Sequence, residues 1–139
     1  MERNEVFAVI DTNVIVSALL SRNNRESNTA KIFDAVLDGK ITPLYNYEIL
    51  DEYVEVLGRS KFPFRKEDVN LVETLMRTVG IRLERTTTFE GVFPDPKDVV
   101  FYEVTLSKDD AYLVTGNIKH FPKKPFVVTP AEMVEILRL

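Results

Sequence analysis

The stretch Val6–Leu20, VFAVIDTNVIVSALL, decides the fold. Val6 to Ile10 is an unbroken apolar run rich in β-branched types, which is how a strand buried on both faces of a parallel sheet reads. Asp11-Thr12-Asn13 then interrupts the run and supplies a helix cap, and Val14 to Leu20 resumes with apolar residues suited to a helix. In open α/β sheets, ligands collect outside the carboxyl ends of the strands. Asp11 therefore stands where chemistry is placed, although in isolation its residue type and position are equally those of a helix cap.

The rest of the composition bounds the class. At 139 residues and 45% hydrophobic content the chain has enough apolar surface for one core, and the expectation is a single domain over residues 1–139. No apolar run reaches about eighteen residues, and the charged start MERNE leads straight into a strand. A soluble cytoplasmic protein without membrane span or secretory signal is expected. The absence of cysteine removes disulfides, thiolate zinc sites and cysteine nucleophiles, and one histidine excludes a histidine-rich metal site. The net charge of −4 argues against holding nucleic acid on a broad basic surface. It does not exclude a nucleic-acid enzyme, because carboxylates around a divalent ion count fully in that sum while the ion offsets them locally.

Along the chain, strands and helices alternate. Ser21 to Ser27 reads as a loop, and a second helix capped by Asn28 or Thr29 carries Ala30, Ile32, Phe33, Val36 and Leu37 until Gly39. Ile41 to Tyr45 is a short strand weakened by Pro43. Asn46 caps a helix over Tyr47 to Leu57, ended by Gly58, and a further helix over Glu67 to Val79 stops at Gly80. Ile81 to Leu83 is a short strand and Glu84 to Phe93 a loop. Asp95-Pro96-Lys97-Asp98 has the pattern of a helix start, followed by a largely apolar, central helix over Val99 to Leu106. Ala111 to Val114 and Phe126 to Val128 are strands, and the capping box Thr129-Pro130-Ala131-Glu132 opens a last helix to Leu139. The alternation predicts an α/β architecture with a mainly parallel sheet covered on both faces.

Acidic residues recur at the junctions. Two strands end in Asp11-Thr12-Asn13 and Thr115-Gly116-Asn117, and parallel neighbours place such ends side by side. The starts of the helices after Asn46 and at Asp95 are acidic too. Several carboxylates at one site repel one another unless a hard cation such as Mg²⁺ joins them, so a metal site is a coherent reading. For Asp95, capping is the favoured role. On the helix after Asn46, Asp51 and Glu52 flank the buried stripe on either side, while Glu48 and Glu55 are expected to point away. Asn13, Ser17 and Thr115 are candidates for bonding to ligating carboxylates or their waters. His120 is a candidate for a phosphate contact or proton transfer. Lys119, Lys123 and Lys124 with Lys61, Arg65 and Lys66 are candidates for a phosphate-binding rim.

The segments VIDTNVIVSALL (9–20), YNYEILDEYVEVLGRSKF (45–62), FPDPKDVVFYEVTLSKDDAYLVTGNIKHFP (93–122) and VVTPAEMVEIL (127–137) together resemble the PIN-domain nucleases. The likeness is to the branch of toxin components from bacterial and archaeal toxin–antitoxin pairs. It covers most of the chain in family order. The resemblance implies a Rossmann-like three-layer α/β/α fold with acidic residues that bind Mg²⁺ or Mn²⁺ and hydrolyse RNA. Carried over residue by residue, it puts the metal-binding acids at Asp11, Glu52 and Asp98, with Asp95 a near neighbour. The family's fourth acidic position is Asn117 here, which can orient water but adds no negative charge.

Two functions follow from that resemblance. One is a metal-dependent endoribonuclease, with an RNA substrate and an antitoxin protein as partner. The alternative is a degenerate PIN module that binds RNA or a partner protein without hydrolysis. A homodimer is a further expectation, with the apolar face of the helix over Glu67 to Val79 as its surface.

Overall fold

A computed structural model describes residues 5–139. Strands β1 (Val6–Ile10), β2 (Ile41–Tyr45), β3 (Ile81–Arg82), β4 (Tyr112–Val114) and β5 (Val127–Val128) pair in parallel in the order β3-β2-β1-β4-β5. Helices α1 (Thr12–Leu20), α2 (Asn28–Leu37), α3 (Tyr47–Leu57), α4 (Lys66–Val79), α5 (Val99–Leu106) and α6 (Pro130–Leu137) flank the sheet in a three-layer α/β/α arrangement. The carboxyl-terminal part of the central strand β1 has no face left for water: Ala8, Val9 and Ile10 are all buried. That is the physical content of its unbroken apolar sequence.

The chain builds outward from β1 through β2 to β3, then returns to place β4 on the other side of β1. This reversal makes the crevice at the carboxyl ends of β1 and β4 the switch point, where open α/β sheets bind their ligands. Helix α5, which precedes β4, packs against β1, β2 and β4. Phe101, Tyr102 and Val104 are buried along it, as are two polar residues. Both have partners: the Thr105 hydroxyl donates to the Phe101 carbonyl at 2.8 Å, and Glu103 receives Arg85 Nη1 at 2.8 Å and the Phe89 amide at 2.6 Å. Arg85 also donates to Glu48 Oε1 on α3 at 2.8 Å, so one guanidinium ties the loop after β3 to both α3 and α5.

Several boundaries differ from the sequence expectation. Helix α2 is capped by Ser27, whose hydroxyl accepts from the Ala30 amide at 3.2 Å, and it begins at Asn28. The sequence expectation of a cap at Asn28 or Thr29 is off by at least one residue, because Ser27 and Asn28 are adjacent and cap about equally well. A short 3-10 turn over Pro96–Asp98 precedes α5. Helix α6 ends at Leu137, with Arg138 in the left-handed region (φ 55°) instead of continuing to Leu139.

Pro43 lies inside the sheet. Strand β3 pairs only with Leu44 and Tyr45, so nothing on that side requires a donor at Pro43. The Pro43 carbonyl instead sits against Gly80, where an added Cβ would be 2.9 Å from it and 2.5 Å from the Met76 carbonyl. Gly80 is there for close approach, at an ordinary φ of −86°.

The apolar stripe of α4 is spent within the chain, since Val72, Leu75 and Met76 are buried in the common core. Leu71 and Val79 alone are exposed among the large apolar residues of that helix. The face expected to meet a second copy is therefore turned inward, because the stripe that gives a helix its periodicity is the same one that the core consumes.

Candidate active site

The register of β1 against β4 pairs Ile10 with Val114, so the next residues, Asp11 and Thr115, emerge side by side. The Asp11 amide donates to the Val114 carbonyl at 2.9 Å, and the fully buried Thr115 hydroxyl donates to Asp11 Oδ2 at 2.7 Å. Asp11 occupies the N-cap position of α1, yet its side chain makes no capping hydrogen bond. Backbone geometry opens the helix there, and the carboxylate is directed to Thr115.

Helix α3 brings the second acid. Asn46 accepts from the Ile49 amide at 2.9 Å and fixes the start of the helix. The buried Tyr53 hydroxyl donates to the Ile10 carbonyl, the last residue of β1. With Tyr53 anchored, the neighbouring Glu52 receives the Thr12 hydroxyl on Oε2. Asp51 lies at the exposed margin of the same cleft. Both line the cleft, and of the two it is Glu52, to which the resemblance points, that is bonded to the first residue of α1.

Asp98 comes from the 3-10 turn ahead of α5, where Asp95 accepts from the Lys97 amide at 3.0 Å. Asp95 is a cap, as its position suggests. Asp98 makes no capping bond and has His120 Nδ1 at 3.6 Å from Oδ2. Aromatic packing holds these two segments together: Phe93, just before Asp95, meets Phe121, just after His120, edge-on with centroids 5.8 Å apart.

These residues line a cleft of about 550 Å³. Its walls include Asp11, Glu52, Asp95 and Asp98 with Asn13 and Thr12, and on the outer side Glu55, Arg59 and Lys97. Thr12, Glu55, Arg59 and Lys97 were not anticipated from the sequence. Glu55 had been expected to point away, but positions three and four apart share a helix face, and Glu52, Glu55, Val56 and Arg59 follow that spacing along α3. Arg59 is engaged with Glu55, at 2.9 Å.

Charge repulsion and burial act together here. Burial lifts the Asp11 carboxyl above its ordinary value, against the lowering effect of the Thr115 hydroxyl, the Thr12 amide and His120. Burial also raises Glu52, opposed by the Thr12 hydroxyl and reinforced by Asp11. Asp98 is pushed up to about 6, first by burial and then by Asp11 and Asp95, with His120 opposing. Asp11 and Asp95 thus make both Glu52 and Asp98 harder to ionise.

That donor set fits a hard divalent cation. One oxygen of Asp11 and one of Glu52 are held by the Thr115 and Thr12 hydroxyls, and Asp98 makes no capping bond. Bonds of this kind to a carboxylate oxygen are what orient ligands around a metal. No three acidic or imidazole side chains among the described residues converge closely enough to enclose an ion by themselves. The described residues do not form an all-protein cage, so an ion held there would keep water among its ligands.

The remaining candidates fall in different places. Ser17 bonds Thr29 Oγ1 at 3.0 Å between α1 and α2, so it serves a helix contact and not the cleft. Asn117 is exposed and lies outside the cleft walls. Its amide donates to the Thr115 hydroxyl at 3.0 Å and its carbonyl accepts from the His120 amide at 2.9 Å, so it reaches the site through its backbone. Lys119, Lys123 and Lys124 line a separate cavity. Arg65 lines another, beside Leu20 and Phe64, so the two basic groups do not form one rim.

No helix among the described residues is long and apolar enough to cross a membrane. No curated protein matches the chain. A family model described as PIN domain matches residues 8–119, which take in Asp11, Glu52, Asp98 and Asn117. Domains of that family are typically nucleases that work with divalent metal ions, in keeping with the cleft at the switch point. By this match over most of its length, the chain belongs to the PIN domain family.

Proposed function

We propose that the protein is a metal-dependent endoribonuclease, in which Asp11, Glu52 and Asp98 hold Mg²⁺ or Mn²⁺ for hydrolysis of RNA phosphodiester bonds. The observation that carries this reading is that these three carboxylates, from three separate segments of the chain, line one cleft at the β1–β4 switch point. A divalent ion bound there would supply a polarised water and offset negative charge on the phosphoryl group during in-line attack. Thr115 and Thr12 would fix the orientation of the Asp11 and Glu52 carboxylates, each by a bond to one oxygen. Lys97 adds a cation at the wall where a phosphate would sit. His120, with Nδ1 3.6 Å from Asp98 Oδ2, would contact a phosphate oxygen.

The test is cleavage of a single-stranded RNA oligonucleotide by purified protein with Mn²⁺ and with EDTA, beside Asp11→Asn prepared identically. The reading requires cleavage by the wild type with Mn²⁺ alone, and equal rates for wild type and variant would refute it. The family resemblance further supports a toxin role with a protein antitoxin, read out by growth arrest on expression.

One observation favours a second reading, a module that binds RNA or a partner protein without hydrolysis. The fourth acidic position is filled by the neutral, exposed Asn117. Calorimetry separates the two, since absence of divalent-ion binding at millimolar concentration, with or without RNA, belongs to the non-enzyme.

A further inference from the structure

Beyond β4 the chain forms a second cavity, of about 570 Å³, between the 3-10 turn Ile118–His120 and the start of α6. Three lysines line it: Lys119, Lys123 and Lys124. Ile118, Phe121 and Val127 provide an apolar side. The single carboxylate in its lining, Glu132, is committed to the Thr129 amide at 2.9 Å as part of the α6 capping box. Among the described residues none of the three lysines is in an ion pair. In a chain of net charge −4, this is a local concentration of uncompensated positive charge beside apolar surface.

The turn joins this cavity to the acidic cleft. Lys119 lines the cavity, and the next residue, His120, stands 3.6 Å from Asp98. A polymer with regularly spaced phosphates can occupy both places at once, one phosphate beside Asp98 and the adjoining nucleotide over the lysines. Lysine heads favour the phosphate, and the exposed side chain of Ile118 offers an apolar surface for the face of a base. A double helix has its bases stacked inside and cannot offer one to such a wall.

We propose that this cavity is a binding subsite for the nucleotide flanking the scissile phosphate of a single-stranded RNA. The proposal rests on the endoribonuclease reading, and its test is separable from it. It also accounts for the negative net charge: affinity for the strand comes from a few lysines at one place, while the cleft stays acidic for its cation.

The experiment measures binding of a fluorescent single-stranded RNA oligonucleotide by anisotropy in EDTA, where no cleavage occurs, as a function of salt. The variant Lys119→Gln/Lys123→Gln/Lys124→Gln is compared with wild type and with Lys31→Gln/Lys40→Gln/Arg77→Gln, which removes equal charge from α2, the turn after it and α4. The expected result is affinity weakened about tenfold or more in the first variant alone, with a salt slope shallower by about 2, as loss of three phosphate contacts implies for a single strand. Equal weakening in both variants, unchanged affinity in the first, or no binding by wild type would each overturn the subsite. Folding is checked by the thermal midpoint of each variant, and Lys119→Arg/Lys123→Arg/Lys124→Arg is expected to restore binding. Metal-dependent cleavage by the wild type remains a separate measurement: a failed subsite leaves the catalytic reading standing, whereas lysine-dependent binding without any cleavage overturns the catalytic reading and with it the subsite's link to a scissile phosphate.

Discussion

The Thr115 hydroxyl donates to Asp11 Oδ2 at 2.7 Å, joining residues 104 positions apart at the ends of adjacent parallel strands. The same oxygen accepts the Asn117 amide at 3.0 Å, so Thr115 both braces the carboxylate and anchors the turn that leads to His120. Thr115 is fully buried, and its valine isostere would leave two polar groups without their partner. Thr115→Val is expected to raise the Asp11 pKa further, because the hydroxyl opposes the effect of burial. It should also cost about 2 kcal/mol of stability. Thr115→Ser should keep both properties near wild type. Carboxyl-detected NMR titration with denaturant unfolding checks the pair, and a valine variant with an unmoved Asp11 titration would refute the bracing role.

Arg85 makes a different prediction. Glu103 is 4% exposed and its charge is met by Arg85 and the Phe89 amide. Arg85→Ala leaves a buried carboxylate with one neutral donor. The guanidinium is itself partly exposed, with 37% of the side chain accessible, so the expected loss is about 2 kcal/mol, below the range for fully buried pairs. Pairing it with Glu103→Leu should restore much of that loss, because removing both partners avoids the uncompensated charge. A double variant less stable than Arg85→Ala would contradict this account.

Asp98 gives the pH dependence. Its carboxyl is raised from 3.8 to about 6 in the folded chain, so between those values the native state holds a proton that the unfolded chain has released. By linkage, this group's contribution to stability is greatest below pH 3.8, falls as pH rises to about 6 and is lowest above it. Without divalent ions its NMR titration midpoint should therefore lie near 6. Mn²⁺ or Mg²⁺ should stabilise the charged form, and diamagnetic Mg²⁺ should visibly lower the midpoint. A midpoint near 4 in the metal-free protein would mean that Asp98 is neither buried nor repelled as described.

Gly80 tests the packing beneath β2. A Cβ there would meet the Met76 carbonyl at 2.5 Å and the Pro43 carbonyl at 2.9 Å, both backbone atoms that cannot swing aside. Gly80→Ala should cost about 1–3 kcal/mol, the range for overpacking. Measured by denaturant unfolding, a neutral or stabilising result would show that α4 and β2 are less tightly apposed.

Much of this was legible in the sequence because local chemistry and tertiary demand agree. Asn46 and Gly58 bound α3, Thr129 with Glu132 opens α6, and the apolar runs mark β1 and α5. From its own residues Asp11 reads as a strand-end residue or a cap, and only the resemblance marks it as a metal ligand; its lack of a capping bond depends on the register that brings Thr115 beside it. Thr12 gave no signal, since its importance comes from Glu52, 40 residues away. Glu55 was misplaced by reading the wheel from the buried stripe outward, when the cleft cuts across α3 along Glu52, Glu55 and Arg59. Asn117 aligned with an acidic position in the resemblance, but its exposure and backbone bonding to Thr115 depend on how the chain turns after β4. The α4 stripe was recognised as apolar without any means of telling core from partner.

The central claim, that Asp11, Glu52 and Asp98 act as one cation-dependent unit, is tested most directly by the Mn²⁺-dependent initial rate of single-stranded RNA cleavage across Asp11→Asn, Glu52→Gln, Asp98→Asn and the Asp11→Asn/Asp98→Asn double variant. The account predicts that each single substitution lowers the rate by about 100-fold or more, and that the double variant is little worse than the worse single one, as for residues that act together. Any single variant that cleaves at the wild-type rate with Mn²⁺ would contradict it.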